Sequence, residues 1–287
     1  MTIAIAVQVH DGVVLASDSA STLIDSTLNP PDNIINVYNN ANKIFNLVKG
    51  LPIGAVTYGA GSIGTSSIST LAKDLRRRLS GKDKDHMDWH LNPDSYTIKE
   101  VAERAQKFLF EETFKGLPSP NPAMFLGFLV VGYSAGASLS EGWLVEIKDG
   151  ESPSAVPVIA QGEAKLQCGG EPEVFSRLVL GHSLKLRDAL VKGGVDKANV
   201  DNVINGLRAE MHIGLVEHPM PIQDAIDLAE FLVTTTSTFT RFKRGAATVG
   251  GPIESAAITK HEGFKWVRRK HYFNSTLNPG GLDDQAH

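Results

Sequence analysis

Residues 2–22 read TIAIAVQVHDGVVLASDSAST, and this stretch decides the predicted fold. Two apolar runs rich in β-branched and small residues flank Asp11-Gly12, a dipeptide typical of tight hairpin turns, and they predict two paired strands. A second hairpin is predicted where NKIFNLV (42–48) and LPIGAVTY (51–58) are separated by Lys49-Gly50. The chain therefore begins with four strands rather than with an alternation of strands and helices.

The rest of the chain places helical and strand patterns in blocks. Helical patterns cover residues 63–79, a stretch of about 18 residues that follows the N-cap candidate Thr97, and residues 221–241 with Pro221 in the first turn. Cys168-Gly169-Gly170 is predicted as a turn that leads into a further helix, which runs through Leu184. Strand patterns cover residues 123–133, 141–148, 155–160, 254–260 and 264–273. Residues 23–41 predict a surface excursion, and residues 80–96 predict a polar loop.

Two sheets, each covered by a pair of helices, fit this order of elements. The sequence therefore predicts an α+β fold, a four-layer αββα sandwich, and it argues against a doubly wound parallel sheet. Residues 1–273 are predicted to form a single domain, and residues 274–287 are predicted to be a disordered tail.

Charge and cysteine content limit the classes of function. The chain has 287 residues and a formal net charge of −4, so no overall positive field attracts nucleic acid or an anionic membrane. Its one cysteine, Cys168, excludes an intramolecular disulfide and a four-thiolate metal site, and indicates a reducing compartment. The N-terminal residues lack the basic segment of a secretory signal, and no apolar run is long enough to span a bilayer. These features predict a cytoplasmic enzyme or assembly subunit.

Residues 59–64 read GAGSIG and match the G-x-G-x-x-G pattern of dinucleotide-binding loops. A dinucleotide site also needs a parallel strand that ends in an acidic residue about 20 residues later. Asp83 and Asp85 stand at that distance, but they lie in a polar segment that no strand precedes. We therefore favour another role for these glycines, although tight packing at a strand-to-helix turn would also require them.

Thr2 directly follows the initiator methionine, and a small residue at this position favours removal of Met1. A threonine hydroxyl is a weak nucleophile until a base accepts its proton. A free α-amine, with an ordinary pKa of about 7.7–8.0, is available as that base near neutral pH. Thr2 alone would then supply both nucleophile and base, although many cytosolic chains begin with Met-Thr without such a role.

Residues 2–22 resemble the N-terminal hairpin of proteasome β-type subunits and of their bacterial relatives, the HslV-type and Anbu-type peptidases. The resemblance spans residues 2–268 and continues with NKIF (42–45), VTYGAG (56–61), CGGEPEVFSRLVL (168–180) and VGGPIESAAIT (249–259). It implies the N-terminal nucleophile hydrolase fold, threonine-type endopeptidase activity, and self-association into rings or related oligomers.

The resemblance implies a catalytic role for each matching residue. Thr2 would be the nucleophile, and Asp18 would pair with Lys43, whose charge would favour the alkoxide and keep the α-amine neutral. The backbone N–H of Gly59 would stabilise the oxyanion of the tetrahedral intermediate. Cys168 stands where the family has a turn serine that orients the α-amine, although a one-residue shift of the alignment would put Gly169 there. An ordinary ion pair is the alternative reading of Asp18 and Lys43.

The same resemblance implies the residues that would hold the substrate. The main chain of Thr22 would pair with an extended peptide, as in β-strand addition. Thr57 and Gly61 would line the first specificity pocket, and their small size would admit a medium or large apolar side chain. The implied substrate is a peptide or an unfolded protein, no metal or organic cofactor is implied, and an unfoldase partner is compatible with the family.

Three departures from the family pattern leave other functions open. Ala20 stands where the family often has arginine, and Cys168 is a weaker hydrogen-bond donor than serine. Residues 233–252, before the closing strands, contain no acidic residue where the family has an aspartate, and Ser237 is a candidate substitute. The alternatives are a weakened or inactive structural subunit and an amidohydrolase that acts on small amides.

Two further patterns favour ordinary surface roles. His86 and His90 are four residues apart in a polar segment, so solvated side chains are favoured over a metal pair. Basic clusters at 76–78 and 268–270 predict a solvated helix face and a strand end, or contacts between subunits.

Overall fold

The computed structural model describes residues 2–24, 28 and 34–270. The strands in chain order are β1 (Ile3–Val9), β2 (Gly12–Ser17), β3 (Ser21–Ile24), β4 (Ile34–Tyr38), β5 (Ile44–Asn46), β6 (Ile53–Gly59), β7 (Ser62–Ile63), β8 (Ser66–Ser67), β9 (Leu126–Gly132), β10 (Glu141–Ile147), β11 (Val156–Ile159), β12 (Lys165–Gly170), β13 (Glu254–Thr259) and β14 (Gly263–Arg268). The α-helices are α1 (Ile68–Leu79), α2 (Ile98–Gln106), α3 (Glu173–Val179), α4 (Leu186–Lys192), α5 (Val200–Met211) and α6 (Ile222–Phe242). A 3₁₀-helix covers Lys84–Trp89, and a π-helix at Lys107–Phe114 continues α2.

The strands form two five-stranded sheets, one ordered β12-β1-β2-β13-β14 and the other β11-β10-β9-β6-β5. Every pairing within the two sheets is antiparallel. The fold is therefore a mixed α/β fold with antiparallel sheets, and the parallel sheet that a dinucleotide site needs is not formed by the described residues.

Three apolar clusters hold the layers together. Two of these clusters lie on opposite faces of β1, because its side chains alternate. Ala4 and Ala6 face the second sheet, whereas Ile3 and Ile5 face α6. The third cluster joins the other face of the second sheet to α1, α2 and the π-helix. Both sheets thus bury two faces, and this explains why β1, β2 and β9 are buried along their whole length and are mostly apolar.

The predicted N-terminal hairpin is confirmed, with a small correction to its turn. β1 pairs with β2 from Ala4 opposite Ser17 to Val9 opposite Gly12, so the two loop residues are His10 and Asp11. Gly12 already belongs to the strand. A Cβ at Gly12 would lie 2.6 Å from the Ile258 carbonyl oxygen, so this glycine allows β13 to approach closely.

The second hairpin is also confirmed as β5 paired with β6. The helix predicted over residues 63–79 begins later, at Ile68, because Gly64 has a positive φ of 59° and β7 and β8 form a short ribbon there. Ser67 caps the helix by accepting a hydrogen bond from the Thr70 N–H at 3.1 Å. Thr97 caps α2 in the same way, as predicted, through the Glu100 N–H at 3.1 Å.

Two segments predicted as loops contain more structure. Within residues 23–41, β3 and β4 pair as a ribbon of two strands. Residues 80–96 contain the 3₁₀-helix, and Trp89, Leu91 and Tyr96 pack into the apolar cluster beneath α1 and α2. These three side chains make an otherwise polar segment part of the core, which composition alone did not show.

The C-terminal half holds the largest corrections. Cys168-Gly169-Gly170, predicted as a turn, forms the end of β12, which pairs with the open edge of β1. The helix predicted through Leu184 stops at Val179, and α4 and α5 follow where no helix was predicted. The helix predicted at 221–241 is α6, with Pro221 as its N-cap. The predicted tail at 274–287, and strand residues 271–273, lie outside the described residues.

Candidate active site

Thr2 lies buried between the start of β1 and the end of β12, with 4% of its surface exposed. Its carbonyl oxygen accepts a hydrogen bond of 2.7 Å from the Glu171 N–H. Gly170 has a φ of 94°, and a Cβ there would collide with the same carbonyl oxygen. The hydrogen bond from Glu171 holds the Thr2 carbonyl in place. The close approach of that carbonyl to residue 170 requires glycine there.

The carboxylate of Asp18 is fully buried just behind Thr2. Oδ1 accepts from the Ile3 N–H at 3.1 Å and from Lys43 Nζ at 2.6 Å. Oδ2 accepts from the Ala20 and Gly250 N–H groups, both at 3.0 Å. Four donors thus satisfy this charge, and one of them is the amide directly after Thr2.

Lys43 precedes β5, and its side chain is 7% exposed. Burial lowers the pKa of its ammonium group below the usual value, and the Asp18 carboxylate opposes part of that effect. The backbone of Lys43 is tied to β6, because its carbonyl oxygen accepts from the Thr57 N–H at 2.9 Å. The result is a buried cation that is paired with Asp18 and belongs to the lining of a pocket.

That pocket is a cavity of about 280 Å³ between the start of β1, β3, the segment before β5 and the end of β6. Its lining contains six of the eight residues predicted for catalysis or substrate binding: Thr2, Thr22, Lys43, Thr57, Gly59 and Gly61. Asp18 supports the pocket from behind through Lys43. The fold therefore brings together residues that are up to 59 positions apart, from Thr2 to Gly61.

The glycines of the GAGSIG motif have separate tasks here. Gly59 has a φ of 89°, and a Cβ there would collide with the Phe125 carbonyl oxygen, which accepts from the Ala60 N–H at 2.7 Å. Gly61 leaves space beside Ser21, whose Oγ would lie 3.0 Å from a Cβ at Gly61. Gly59 thus presents a backbone without a side chain to the pocket. The absence of a side chain at Gly61 leaves the pocket wider at that point.

Cys168 does not reach the pocket. β12 places it opposite Ile5, and it packs against the apolar cluster between the first sheet and α6. Burial, with a smaller contribution from Glu171, raises the pKa of the Cys168 thiol to about 12. The residue beside Thr2 is Glu171 instead, three positions further along the chain. The expected orientation of the Thr2 α-amine by Cys168 is therefore not seen, because strand pairing turns its side chain into the core.

Several residues near the site were not identified from the sequence. Lys270, assigned to a surface basic cluster, is 8% exposed and pairs with the buried Glu254 at 2.7 Å. Gly250, which binds Asp18, comes from the acid-free segment before β13. Ser237 lies on α6 near Gly250, and both line a second cavity of about 470 Å³. Ser237 thus faces the loop that supports Asp18 and does not line the cavity that contains Thr2.

The histidine pair that the sequence raised as a possible metal site has no such role among the described residues. His86 pairs with Asp83, with 3.1 Å between Nδ1 and Oδ2. Among residues 2–24, 28 and 34–270, no three His, Cys, Asp or Glu side chains are grouped in a way that could hold a metal ion. Over the same part of the chain, no helix combines the length and apolar character needed to cross a bilayer.

No family model and no curated protein matches this chain. Among solved structures, it is similar to Anbu (ancestral beta-subunit) from Yersinia bercovieri, with a TM-score of 0.50 and 13% sequence identity. The match covers 94% of this chain and 88% of the other. At this identity the likeness concerns the fold alone.

Proposed function

We propose that this chain is an N-terminal threonine peptidase of proteasome type. One observation carries the proposal: Thr2, Lys43 and Gly59 line a single pocket, and the buried Asp18 binds both Lys43 and the amide that follows Thr2. A nucleophile, a cation and a bare backbone amide around one cavity are the groups that an acyl-transfer reaction uses.

The proposed chemistry begins with removal of Met1, which leaves Thr2 with a free α-amine. The amine takes the proton of the Thr2 hydroxyl as the oxygen attacks a peptide carbonyl, and the Gly59 N–H stabilises the oxyanion. The amine then protonates the leaving amino group, and an ester to Thr2 remains. Water, deprotonated by the same amine, hydrolyses that ester and restores the hydroxyl.

Lys43 supports each step through its charge. An ammonium group beside the Thr2 hydroxyl favours the alkoxide and disfavours a second positive charge on the α-amine. Asp18 keeps that ammonium in place without reaching the pocket itself. We therefore assign Asp18 a positioning role and Thr2, Lys43 and Gly59 the direct roles. Thr22, Thr57 and Gly61 are assigned to substrate binding on the basis of their places in the lining.

The finer fold assignment belongs to the same proposal. Helices α1 and α2 pack on one sheet, α6 packs on the other, and the inner faces of the two sheets share a cluster. These contacts support a four-layer αββα sandwich of the N-terminal nucleophile hydrolases. We also propose cytoplasmic location and assembly into a ring or related oligomer, for which native mass spectrometry of the purified chain is the test.

The decisive experiment combines intact mass with hydrolysis of a peptide library. We expect the purified protein to lack Met1, and Thr2→Ala to lower kcat/KM by at least about 10³-fold because the nucleophile is lost. Thr234→Ala, a matched change on the exposed side of α6, should leave the rate unchanged. Retained Met1, or equal hydrolysis by Thr2→Ala, would rule out this mechanism.

A structural, non-catalytic subunit is the second candidate. It is favoured by residues 233–252, which provide the Gly250 amide to Asp18 but contain no acidic side chain. A threonine-directed electrophile separates the two candidates, because covalent labelling at Thr2 contradicts a purely structural role. Comparing the turnover of peptides with that of small amides distinguishes a peptidase from an amidohydrolase.

A further inference from the structure

Lys270 carries a second buried positive charge close to the candidate site. It lies two residues after the end of β14, and its side chain is only 8% exposed. Its ammonium group donates to Ser19 Oγ at 2.7 Å, to the Ala41 carbonyl at 2.8 Å and to Glu254 Oε2 at 2.7 Å. All three ammonium hydrogens therefore have acceptors, so this is an organised site and not a surface lysine that is partly covered.

Glu254 balances this charge from the first residue of β13. Its carboxylate is 3% exposed, and besides Nζ it accepts a long hydrogen bond of 3.4 Å from the Lys270 N–H. The side chain and the backbone of Lys270 are thus held by one carboxylate. Such a pair is costly to bury unless its hydrogen bonds are complete, and here they are complete on the lysine side.

The acceptors of Lys270 belong to the two segments that carry the Asp18–Lys43 pair. Ser19 directly follows Asp18, and Ala41 precedes Lys43 by two residues. The two segments are also joined directly, because the Ala41 N–H donates to the Ser19 carbonyl at 2.9 Å. Lys270 reinforces that single backbone contact with two further bonds to the same segments.

Ser19 extends the network to the loop that binds Asp18. Its N–H donates to the Gly250 carbonyl at 2.9 Å, and its hydroxyl donates to the Pro252 carbonyl at 2.6 Å. Gly250 in turn donates its N–H to Asp18. Lys270 Nζ is therefore connected through Ser19 and Gly250 to the amide that binds Asp18.

We propose that Lys270 is a positioning residue that clamps the segment carrying Asp18 to the segment carrying Lys43. Glu254 is its counter-ion and keeps it in place. The part of this inference that concerns turnover rests on the proposed function, whereas the clamp itself does not. Lys270 does not line the pocket, so it acts through Asp18 and Lys43 and does not touch substrate.

The charges around the two ion pairs support this role. The positive charge of Lys270 acts to lower the pKa of Lys43, and the negative charge of Glu254 acts to raise it. Burial likewise lowers the pKa of Lys270 itself, opposed by Glu254 and Asp18, with Arg269 as a further nearby cation. Loss of Lys270 alone would leave the carboxylate of Glu254 unpaired near Lys43.

The first test measures the clamp without using activity. In Lys270→Met, amide hydrogen exchange followed by NMR should accelerate by at least about tenfold at Ser19 and Ala41 through local opening. The amides of Leu129 and Val130 in β9, which report on the core, should keep their rates. Unchanged exchange at Ser19 and Ala41 would overturn the proposal, whatever reaction the protein catalyses.

The second test measures the consequence for turnover. We expect Lys270→Met to lower kcat by at least about tenfold with little change in KM, because substrate contacts are intact while the catalytic pair is misplaced. The acid limb of the variant's pH–rate profile should move to higher pH, since Glu254 is left as an unbalanced negative charge near Lys43 and favours protonation of the site. Lys265→Met, an exposed position on β14, is the matched control and should change neither quantity.

A second variant covers the case in which Lys270→Met does not fold. Lys270→Met/Glu254→Gln removes both buried charges, so no unpaired ion remains. It should fold and still show the faster exchange at Ser19 and Ala41, while the acid limb returns towards that of the parent. If this double variant keeps the exchange rates of the parent, Lys270 is not a clamp. If the parent protein hydrolyses no peptide, the proposed function fails and the exchange result still decides the clamp.

Discussion

The buried carboxylate of Asp18 allows a quantitative test of the site's architecture. Asp18→Asn keeps the size of the side chain but removes its charge and introduces an NH₂ donor among groups that are donors themselves. The side chain now accepts from Ile3, Ala20, Gly250 and Lys43 at distances of 2.6–3.1 Å. At least one donor must lose its partner, and the Lys43 ammonium loses its counter-ion.

Hydrogen bonds to a charged group contribute about 1.5–3 kcal/mol each, and loss of one partner of a buried ion pair costs about 3–5 kcal/mol. The two figures overlap because the Lys43 contact is counted in both. We therefore expect Asp18→Asn to lower the free energy of unfolding by about 3–5 kcal/mol. For a chain of this size that corresponds to a fall in Tm of roughly 6–20 °C.

Urea unfolding with linear extrapolation measures this change directly. Asp201→Asn is a matched control, since Asp201 forms an exposed ion pair with Arg187 and should change stability by less than about 0.5 kcal/mol. The double variant Asp18→Asn/Lys43→Met should lose less than the sum of the single variants, because no unpaired charge remains. A loss below about 1 kcal/mol in Asp18→Asn would refute the claim that this carboxylate organises the site.

Two further predictions concern the stability of a Gly59 variant and the reactivity of Cys168. Gly59→Ala places a side chain on a left-handed backbone and against Phe125, so its free energy of unfolding in urea should fall by about 2–5 kcal/mol. Gly136 also has a positive φ, of 72°, but open space around it, so the free energy of unfolding of Gly136→Ala should fall by only about 1–2 kcal/mol. Equal losses in the two variants would contradict the close approach at Gly59. The Cys168 thiol, whose pKa burial raises to about 12, stays protonated near pH 8, so alkylation of the folded protein should be at least about 100-fold slower than in urea. Similar rates in the two states would show that Cys168 is accessible.

Local patterns predicted most of the elements around the site. The two hairpins and the Thr97 cap depend on contacts within a few residues, and the sequence contains those contacts in full. β12 was missed because Lys165–Gly170 has little strand character by itself. It is extended because β1 offers an open edge whose backbone groups need partners, and that edge is formed only in the tertiary structure.

The candidate site was predicted through resemblance, and the spacing of residues did not define it. Thr2, Lys43 and Gly59 line one pocket, but nothing in their spacing along the chain shows that they meet. Cys168 failed to reach the pocket because the register of β12 opposite β1 decides which face receives each side chain. A one-residue change in that register would have turned the thiol to the other face.

By itself, the sequence determined the two apolar hairpins and the Thr97 helix cap, because each depends on residues that are close along the chain. The assignment of Thr2 as nucleophile came from resemblance and stays a prediction. Only the tertiary structure decided that Lys270 and Glu254 are buried beside Asp18 and Lys43. Charged residues in a basic cluster ordinarily indicate a solvated surface. Their burial became favourable because strands from the two ends of the chain bring complementary charges and free carbonyl groups into the same place.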